Sequence, residues 1–395
     1  MDEALGIKWV FNNYYSKDKI SIDHLNESTA DKIIHYHKSF PIYKETPLVS
    51  LKSLADRLSI GNIYVKDESK RFDLNAFKVL GGSYAIAVYL AERFGLELSN
   101  ISYNLLKGDK LKDEELIFVT ATDGNHGRGI AWTARQLGYK SVVFMPKGSS
   151  VHRIESIRDE GAKVEVLDCN YDDAVRYAKK YAEENKGILV QDTALDNYID
   201  IPIRIMQGYI TIAHEISTQL NQEEKKPTHL ILQAGVGSFA ASMLGYFRNK
   251  YGENIKTLIL EPKNADCIFK SALINDGKPH IVKGDLETIM AGLSCGEPNP
   301  IAWPILRDYG DLFVSCPDYV AEKGMVIMAN PVGNDERIIS GESGAPGLGL
   351  LKMIMEEEKL KKIKEKLEFN ESSNVIIIST EGDTDPDSYK KIIAK

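Results

Sequence analysis

Three glycine-containing loops in the sequence carry residues that could do chemistry. The first, residues 75–82, places Lys78 just before a predicted helix at 83–93. A lysine at such a junction can be directed into a cleft, where burial lowers its pKa and supplies the neutral amine that a Schiff base needs. The alternative is an exposed lysine beside a glycine turn, because most lysines are exposed.

The second loop, residues 122–127, lies between a predicted strand and the helix that follows it. Its two glycines allow the backbone to approach a ligand closely, and the helix start offers free N–H groups. Asp123 and Asn125 could instead serve only as helix N-caps. For His126 a structural role is the better interpretation.

The third loop, residues 235–240, follows a predicted strand at 229–233 and begins a helix. Its amides and the helix dipole would both favour a phosphate group. The same residues fit the dinucleotide pattern Gly-x-Gly-x-x-Gly/Ala, with Glu261 near the position of a ribose-binding acid. An NAD-dependent oxidoreductase is therefore an alternative, but it leaves the Lys78 and Asp123 loops unexplained.

The elements that must position these loops alternate between short apolar runs and helical patterns. This alternation predicts an α/β fold of two domains, each an open, mostly parallel twisted sheet flanked by helices. Residues 1–79 and 196–395 would form the large domain, and residues 80–195 a small domain inserted in it. The predicted strands are 117–121, 141–145, 163–167, 187–190, 229–233, 256–260 and 375–379, and the predicted helices are 83–93, 129–137, 152–160, 172–184, 202–220, 238–247 and 348–367. Residues 262–309 are less regular and could form a lid.

Composition excludes several functional classes. The net charge of the 395 residues is −8, and no basic stripe suggests a nucleic-acid partner. No run approaches the roughly 20 apolar residues that cross a bilayer, and the N-terminal residues do not resemble a secretion signal. The four cysteines lack metal-ligand spacing, although Cys267 and Cys295 could pair. We therefore expect a cytoplasmic enzyme with a small-molecule substrate and no metal site.

Together these motifs resemble the tryptophan synthase β family of pyridoxal-phosphate enzymes, also called fold type II. Thr46-Pro47-Leu48, Lys66-Asp67-Glu68 and residues 75–78 match the opening of that family, and residues 235–238 match its phosphate loop. The loop at 123–127 stands where relatives usually have Ser-Ser-Gly-Asn-His-Gly. The match is closest to the branch that eliminates ammonia from 2,3-diaminopropionate, on segments 69–78, 191–193, 288–298, 342–345 and 379–386.

The resemblance implies an α,β-elimination that converts D- and L-2,3-diaminopropionate into pyruvate and two ammonia molecules, with pyridoxal 5'-phosphate as the electron sink. It also implies a homodimer. The implied cofactor-binding residues are Lys78 as the Schiff-base lysine, its neighbour Phe77, Asn125 at the ring hydroxyl, Gly235, Val236, Gly237 and Ser238 at the phosphate, and Ser379 or Thr380 at the pyridine nitrogen. A hydroxyl at that nitrogen leaves it largely unprotonated, which favours elimination over transamination.

Asp123 departs from the wider family, where a serine is usual. A carboxylate could pair with the second amine of the substrate and select diamino acids. It could also act as a general base on the face opposite Lys78. Asp192, after the strand at 187–190, is the expected second carboxylate, although a solvated or capping aspartate is an equal alternative. Without a role for Asp123, a serine or threonine dehydratase of the same fold is the alternative function, and a cofactor-binding protein without catalysis is a more distant one.

Overall fold

The computed structural model describes residues 1–14, 18–108 and 116–395. The predicted large and small domains each include a stretch, 15–17 and 109–115, that lies outside the described residues. The described strands form two sheets. In chain order they are β1 Asp2–Ala4, β2 Ile7–Phe11, β3 Leu48–Ser50, β4 Asn62–Asp67, β5 Ile117–Ala121, β6 Lys140–Met145, β7 Lys163–Val166, β8 Ile188–Leu189, β9 His229–Gln233, β10 Lys256–Pro262, β11 Leu312–Cys316 and β12 Asn374–Ser379.

Helices flank both sheets. In chain order they are α1 Glu27–Lys38, α2 Lys52–Leu58, α3 Val79–Arg93, α4 Tyr103–Leu106, α5 Asn125–Leu137, α6 Val151–Arg158, α7 Tyr171–Glu184, α8 Asp200–Gln222, α9 Ser238–Tyr251, α10 Cys267–Ile274, α11 Trp303–Tyr309, α12 Tyr319–Ala329, α13 Pro346–Glu356, α14 Lys361–Leu367 and α15 Pro386–Ile393. None of the helices in the described residues is both long enough and apolar enough to cross a bilayer.

The large sheet has the strand order β1-β2-β11-β10-β9-β12-β4-β3. Its five central strands, from β11 to β4, pair in parallel, whereas β1, β2 and β3 add antiparallel edges. Every residue of β9 is buried, as expected for a parallel strand covered on both faces. The carboxyl ends of β9 and β12 lead directly into the loops at 234–237 and 380–385.

The small sheet has the order β7-β6-β5-β8 and is entirely parallel. All four of its strands fall within the predicted 80–195 segment, and the predicted α/β class is confirmed. The placement of the domain boundaries at 80 and 195 stays a prediction.

Helix α3 begins at Val79, four residues earlier than predicted. The sequence predicts a loop at Gly81 and Gly82, but both glycines lie inside the helix and allow close packing. A Cβ at Gly81 would lie 2.5 Å from the Tyr209 ring on α8, and one at Gly82 would lie 2.6 Å from Ile130 on α5. Helix α3 is therefore fixed against helices on both sides, and with it Lys78 at its N-cap.

The predicted charged helix at 348–367 is wrong in one respect, because two helices occupy it. Helix α13 ends at Glu356, Glu357 is extended, and α14 begins at Lys361 after a short 3-10 turn. Three consecutive glutamates, 356–358, would be unfavourable at the carboxyl end of a helix dipole. The break places Glu358 in the first turn of the next helical segment instead.

Candidate active site

Two adjoining cavities contain most of the predicted site residues. The inner cavity, with an empty volume of about 560 Å³ including its open mouth, lies at the carboxyl ends of β9 and β12. Nine of the eleven predicted residues line it: Phe77, Lys78, Asn125, Asp192, Gly235, Val236, Gly237, Ser238 and Thr380. Asp123 lines the larger outer cleft, together with Arg153 and Glu342. Residues 292, 293 and 295 of the less regular segment border the inner cavity, and residues 285–289, 291 and 294 border the outer cleft. A lid role for the 262–309 segment stays a prediction.

The backbone just before Lys78 is strained and firmly held. Phe72, Asp73 and Asn75 have left-handed φ angles of 50°, 56° and 59°, a conformation that costs most non-glycine residues about 1–2 kcal/mol and Asp or Asn less. Such strain persists only where surrounding contacts over-determine the conformation. On the site side, Phe77 N–H donates to the Thr380 carbonyl at 3.2 Å and Gly382 N–H donates to the Asn75 carbonyl at 3.0 Å. These bonds fix the approach to Lys78 against the end of β12.

A buried network of charges holds the other side of this segment. Arg71, which has no exposed surface, donates to Glu68 and to Glu215 of α8, each at 2.8 Å. Lys66 of β4 pairs with the same Glu215 at 2.7 Å. Burial raises the pKa of Glu215, but Arg71 and Lys66 outweigh it, and the pKa is lowered. The motif at 66–71 thus has a positioning role rather than a chemical one.

Lys78 forms an ion pair inside the inner cavity. Its Nζ donates to Oδ2 of Asp192 at 3.0 Å. Burial lowers the pKa of Lys78, but Asp192 and then Asp123 outweigh that effect, and the net pKa is raised. The expectation that burial alone supplies a neutral amine is therefore wrong, because two carboxylates from distant parts of the chain stabilise the ammonium.

Asp192 is a buried, fully engaged carboxylate. Its Oδ1 accepts a hydrogen bond from the Tyr171 hydroxyl at 3.0 Å, and Tyr171 in turn accepts one from Gln191 Nε2 at 2.8 Å. Burial raises the pKa of Asp192, yet Lys78 and its other hydrogen-bond donors outweigh burial and lower it. The side chain is 3% exposed and contacts Lys78, so the alternative of a solvated or capping aspartate does not hold.

Asp123 faces Lys78 from the outer cleft. Burial and the nearby Glu381 raise the pKa of Asp123, while Lys78 and Arg153 lower it, and the net pKa is raised. Its Oδ2 lies 3.5 Å from the point where a Cβ on Gly292 would stand, and Gly292 lines the inner cavity. Asp123 is thus a carboxylate at the boundary of the two cavities that binds a proton more readily than an ordinary aspartate.

The glycine loop at 235–238 forms a cradle for an anion. Gly237 has a left-handed φ of +96° and caps the 14-residue helix α9. Within the described residues, no backbone N–H from 235 to 238 donates to an acceptor. A Cβ on Gly235 would lie 3.1 Å from Cys295 Sγ, so glycine keeps the loop open. Free amides at a helix start, in one cavity with a lysine, fit a phosphorylated aldehyde cofactor.

Ser379 and Thr380 point in different directions. The Ser379 hydroxyl donates to Ser340 Oγ at 2.7 Å, and Ser379 is not among the residues that line the two cavities. Thr380 lines the inner cavity, and its Oγ1 accepts from Gln233 Nε2 at 3.1 Å. The Thr380 hydroxyl donates in turn to the Ser343 carbonyl at 3.3 Å, so it borders the cavity with its proton already in a hydrogen bond.

Sequence reasoning missed one buried carboxylate in the inner cavity, Glu381. Asn125 Nδ2 donates to its Oε2 at 2.5 Å. Glu381 directly follows the predicted site residues Ser379 and Thr380, and a carboxylate just after a buried strand was the available signal. Tyr171, which orients Asp192, had no comparable signal, because it comes from a helix 21 residues earlier in the chain.

Other residues that the sequence singled out, such as His126 and Glu261, have structural roles. His126 is buried and its Nε2 bonds the Val190 carbonyl at 2.8 Å, in agreement with the structural interpretation. Glu261 accepts the N–H groups of Ile268 and Phe269 at 2.9 and 2.6 Å, so it caps α10 and is not free to bind a ribose. Cys267 and Cys295 are unpaired. The described residues contain no cluster of metal-ligating side chains.

Comparisons with known proteins agree on one family. The family profile described as "Pyridoxal-phosphate dependent enzyme" matches residues 40–381. The diaminopropionate ammonia-lyase of Salmonella typhimurium is 50% identical over 394 residues, covering 98% of each chain. The crystal structure of Escherichia coli diaminopropionate ammonia lyase with D-serine has a TM-score of 0.92 at 44% identity, covering 98% of this chain and 96% of that one. The same enzyme with an aminoacrylate-PLP azomethine reaction intermediate has a TM-score of 0.90 at 44% identity, covering 99% and 97%.

Proposed function

The chain belongs to the pyridoxal-phosphate dependent enzyme family, and we propose that it is the carbon–nitrogen lyase that converts 2,3-diaminopropionate into pyruvate and two ammonia molecules. The observation that carries this proposal is the position of Lys78. Its Nζ lies 3.0 Å from Asp192, faces Asp123 across the cavity boundary, and shares the inner cavity with the free amides of the 235–238 loop. Two diaminopropionate ammonia-lyases that are 50% and 47% identical to this chain support it.

Pyridoxal 5'-phosphate, when bound, supplies the electron sink that lets a proton leave the substrate Cα and the β-amine depart. Lys78 would hold it covalently through Nζ, beside Phe77. The amides at 235–238 would hold its phosphate. Asp192 keeps a proton available at Nζ once the substrate has displaced the lysine, because its own pKa is lowered and it stays ionised.

Asp123 would give the enzyme its substrate selectivity. A carboxylate at the mouth of the inner cavity can pair with the second ammonium of a diamino acid, which serine and threonine lack. Its raised pKa also suits a general base that takes the Cα proton from the side opposite Lys78. Asp123 on one side and Lys78, in its neutral form, on the other would allow both the D and the L substrate to react.

We assign the contact with the pyridine nitrogen to Thr380 rather than Ser379. The support is geometric: Thr380 lines the inner cavity, whereas Ser379 does not. To reach the ring nitrogen, the Thr380 hydroxyl would turn away from its 3.3 Å hydrogen bond to the Ser343 carbonyl. A neutral donor there would leave the nitrogen largely unprotonated, which favours elimination over transamination. Asn125 would meet the ring hydroxyl. We also propose a cytoplasmic homodimer, in line with the base rate of symmetric oligomers.

The test is pyruvate release from D- and L-2,3-diaminopropionate, with D- and L-serine assayed alongside. We expect pyruvate from both diamino enantiomers at rates at least ~10²-fold above those from serine, because binding sites that pair a second polar group discriminate by that factor or more. Lys78→Ala should abolish turnover and the visible absorbance of the bound cofactor.

Lys70→Ala, which removes an exposed lysine in the neighbouring segment, is the matched control and should retain activity. If serine proves the better substrate, the protein is a dehydratase and Asp123 is only a cap. A colourless Lys70→Ala or wild-type protein that does not respond to added cofactor would contradict the proposal altogether.

A further inference from the structure

Glu381 is a buried carboxylate of the inner cavity to which the proposed reaction assigns no role. It follows β12 directly and is 1% exposed. Its Oε2 accepts from Asn125 Nδ2 at 2.5 Å and from Thr384 Oγ1 at 3.0 Å, and its Oε1 accepts from the Ser343 N–H at 3.0 Å. Three loops that surround the cavity thus meet at one carboxylate.

No lysine or arginine nitrogen in the described part of the chain lies within ion-pair distance of Glu381. Arg153 is close enough to Glu381 for their charges to interact. Burial lowers the pKa of Arg153, but Glu381 and then Asp123 outweigh burial and raise it. The carboxylate is therefore held mainly by neutral donors, and an ionised carboxylate can only accept hydrogen bonds.

This restriction determines the orientation of the Asn125 amide. Only the NH₂ edge of an amide can face an acceptor-only carboxylate, whereas the carbonyl edge would be repelled. In the described residues the Asn125 side chain makes no other hydrogen bond. Its second N–H and its Oδ1 are therefore left for a ligand in the inner cavity, in a fixed arrangement.

We propose that Glu381 is a positioning residue for the cofactor, which fixes Asn125 with an N–H directed at the oxygen on the pyridine ring. The inference rests on the proposed role of Asn125. Without the carboxylate the amide could rotate by 180° and present Oδ1 to that oxygen, so a fraction of the molecules would repel the ring. Charge-assisted bonds of this kind are about twice as strong as neutral ones, which makes Glu381 an effective orienting group.

The test is a double-mutant cycle read out by cofactor binding. The dissociation constant of pyridoxal phosphate is measured by titrating the apoenzyme of wild type, Glu381→Gln, Asn125→Ala and the double variant, and the visible absorption band of each loaded enzyme is recorded. We expect each single variant to weaken binding about tenfold and to shift the band. The double variant should be no weaker than Asn125→Ala alone, because Glu381 acts through Asn125.

Thr384→Val is the matched control, since it removes another donor to the same Oε2 without changing Asn125. It should lower the thermal midpoint about as much as Glu381→Gln yet leave cofactor affinity within twofold. If Glu381→Gln does not fold, Glu381→Asp keeps the charge but withdraws it by one methylene, and should weaken binding in the same direction.

Three outcomes overturn the proposal. Fully additive effects of the two substitutions would show that Glu381 acts independently of Asn125, and an equal loss of affinity in Thr384→Val would show that it acts only through loop stability. Unchanged binding in Asn125→Ala would overturn both this inference and the role of Asn125 in the proposed function. Unchanged binding in Glu381→Gln, beside a weakened Asn125→Ala, would overturn this inference alone.

Discussion

Lys78 lies between two carboxylates whose surroundings differ. Asp192 is enclosed and receives hydrogen bonds from Lys78 and Tyr171, so it stays ionised. Asp123 borders the open outer cleft, and its pKa is raised. Environments that separate the pKa values of two carboxyl groups give them separate tasks. Asp192 therefore suits the control of the lysine proton, and Asp123 suits proton exchange with the substrate.

At the residue scale we expect Asp192→Asn to lower turnover by about 10²-fold or more, the usual contribution of a proton-handling group. Because Asp192 raises the pKa of Lys78, its loss should shift the pH dependence of cofactor attachment to lower pH. The absorbance of the bound cofactor, followed against pH, measures this shift. The exposed Asp196→Asn is the control, and an unchanged pH profile in Asp192→Asn would contradict the assignment.

The sequence identified most of these residues because each follows a strand or begins a helix, where side chains and amides are free to meet a ligand. It could not separate Ser379 from Thr380, since neighbouring residues at a strand end point to opposite sides. Nor could it predict the charge of Lys78. That charge depends on Asp192, which is 114 residues away in the chain, and such a pairing is visible only after folding.

At the element scale, the segment before Lys78 depends on Glu215 of α8. We expect Glu215→Gln to lower the free energy of unfolding by about 3–5 kcal/mol, because it leaves the buried Lys66 and Arg71 with one carboxylate fewer. Equilibrium unfolding in urea measures the loss. Glu183→Gln, on the exposed face of α7, should stay within about 0.5 kcal/mol of wild type. A loss below about 1 kcal/mol for Glu215→Gln would mean that the network does not hold this segment.

Element prediction succeeded where the periodicity was local. The strand Ile117–Ala121 and the strand His229–Gln233 have the predicted bounds. It failed where tertiary packing decided the outcome, as at Gly81, whose missing side chain serves the contact with α8 rather than a turn. The break between α13 and α14 at Glu357 has another cause. The helical periodicity of apolar residues continues across the break, but the run of glutamates at 356–358 favours the start of a new helix there.

At the scale of the whole molecule, a buried hydrogen bond to Asp172 is among the contacts that join the unit around the small sheet to the segment beside the active site. The Gly296 N–H donates to Asp172 Oδ2 of α7 at 3.1 Å. Burial, followed by the charge of Glu297, raises the pKa of Asp172 from 3.8 to about 6. The folded protein therefore binds a proton on the Asp172 carboxyl more tightly than the unfolded chain does. The stability that this proton contributes is lost as the pH rises from about 4 to about 6.

Asp172→Asn removes this titration while its amide oxygen can still accept from Gly296. We expect the variant to lose that part of the pH dependence and to be more stable than wild type at pH 8, by at most about 3 kcal/mol. Thermal midpoints between pH 4 and pH 8 test both expectations. The thermal midpoint of the neighbouring, exposed variant Asp173→Asn should change with pH as that of wild type does. The same pH dependence of the midpoint in Asp172→Asn would contradict this role of Asp172.

Several strands of the large sheet could not be predicted from the sequence. Strands β1 to β4, all within residues 1–79, and β11 at Leu312–Cys316 were not assigned from the sequence. Their pairing is remote: Trp9 is opposite Val314, and Tyr64 is opposite Ile376. Unlike the mainly apolar runs of β5 and β9, the segments Asp2–Ala4, Ile7–Phe11 and Asn62–Asp67 mix apolar with charged or polar residues, which weakens the pattern of a buried strand. The alternation of strands and helices from 117 onward was sufficient for the fold class but not for these strands.

The left-handed backbone at Phe72, Asp73 and Asn75 has a consequence for how this protein can diverge. At 73 and 75, tolerance to substitution is governed by the main chain, so glycine, asparagine and aspartate are the accessible replacements and β-branched residues are the least accessible. Phe72 also stacks on Trp132, at 5.3 Å between ring centroids, which leaves it fewer choices still. Sequence change near Lys78 is thus confined to a narrow set of residue types, and a library built for new substrate specificity would do better to vary the outer cleft.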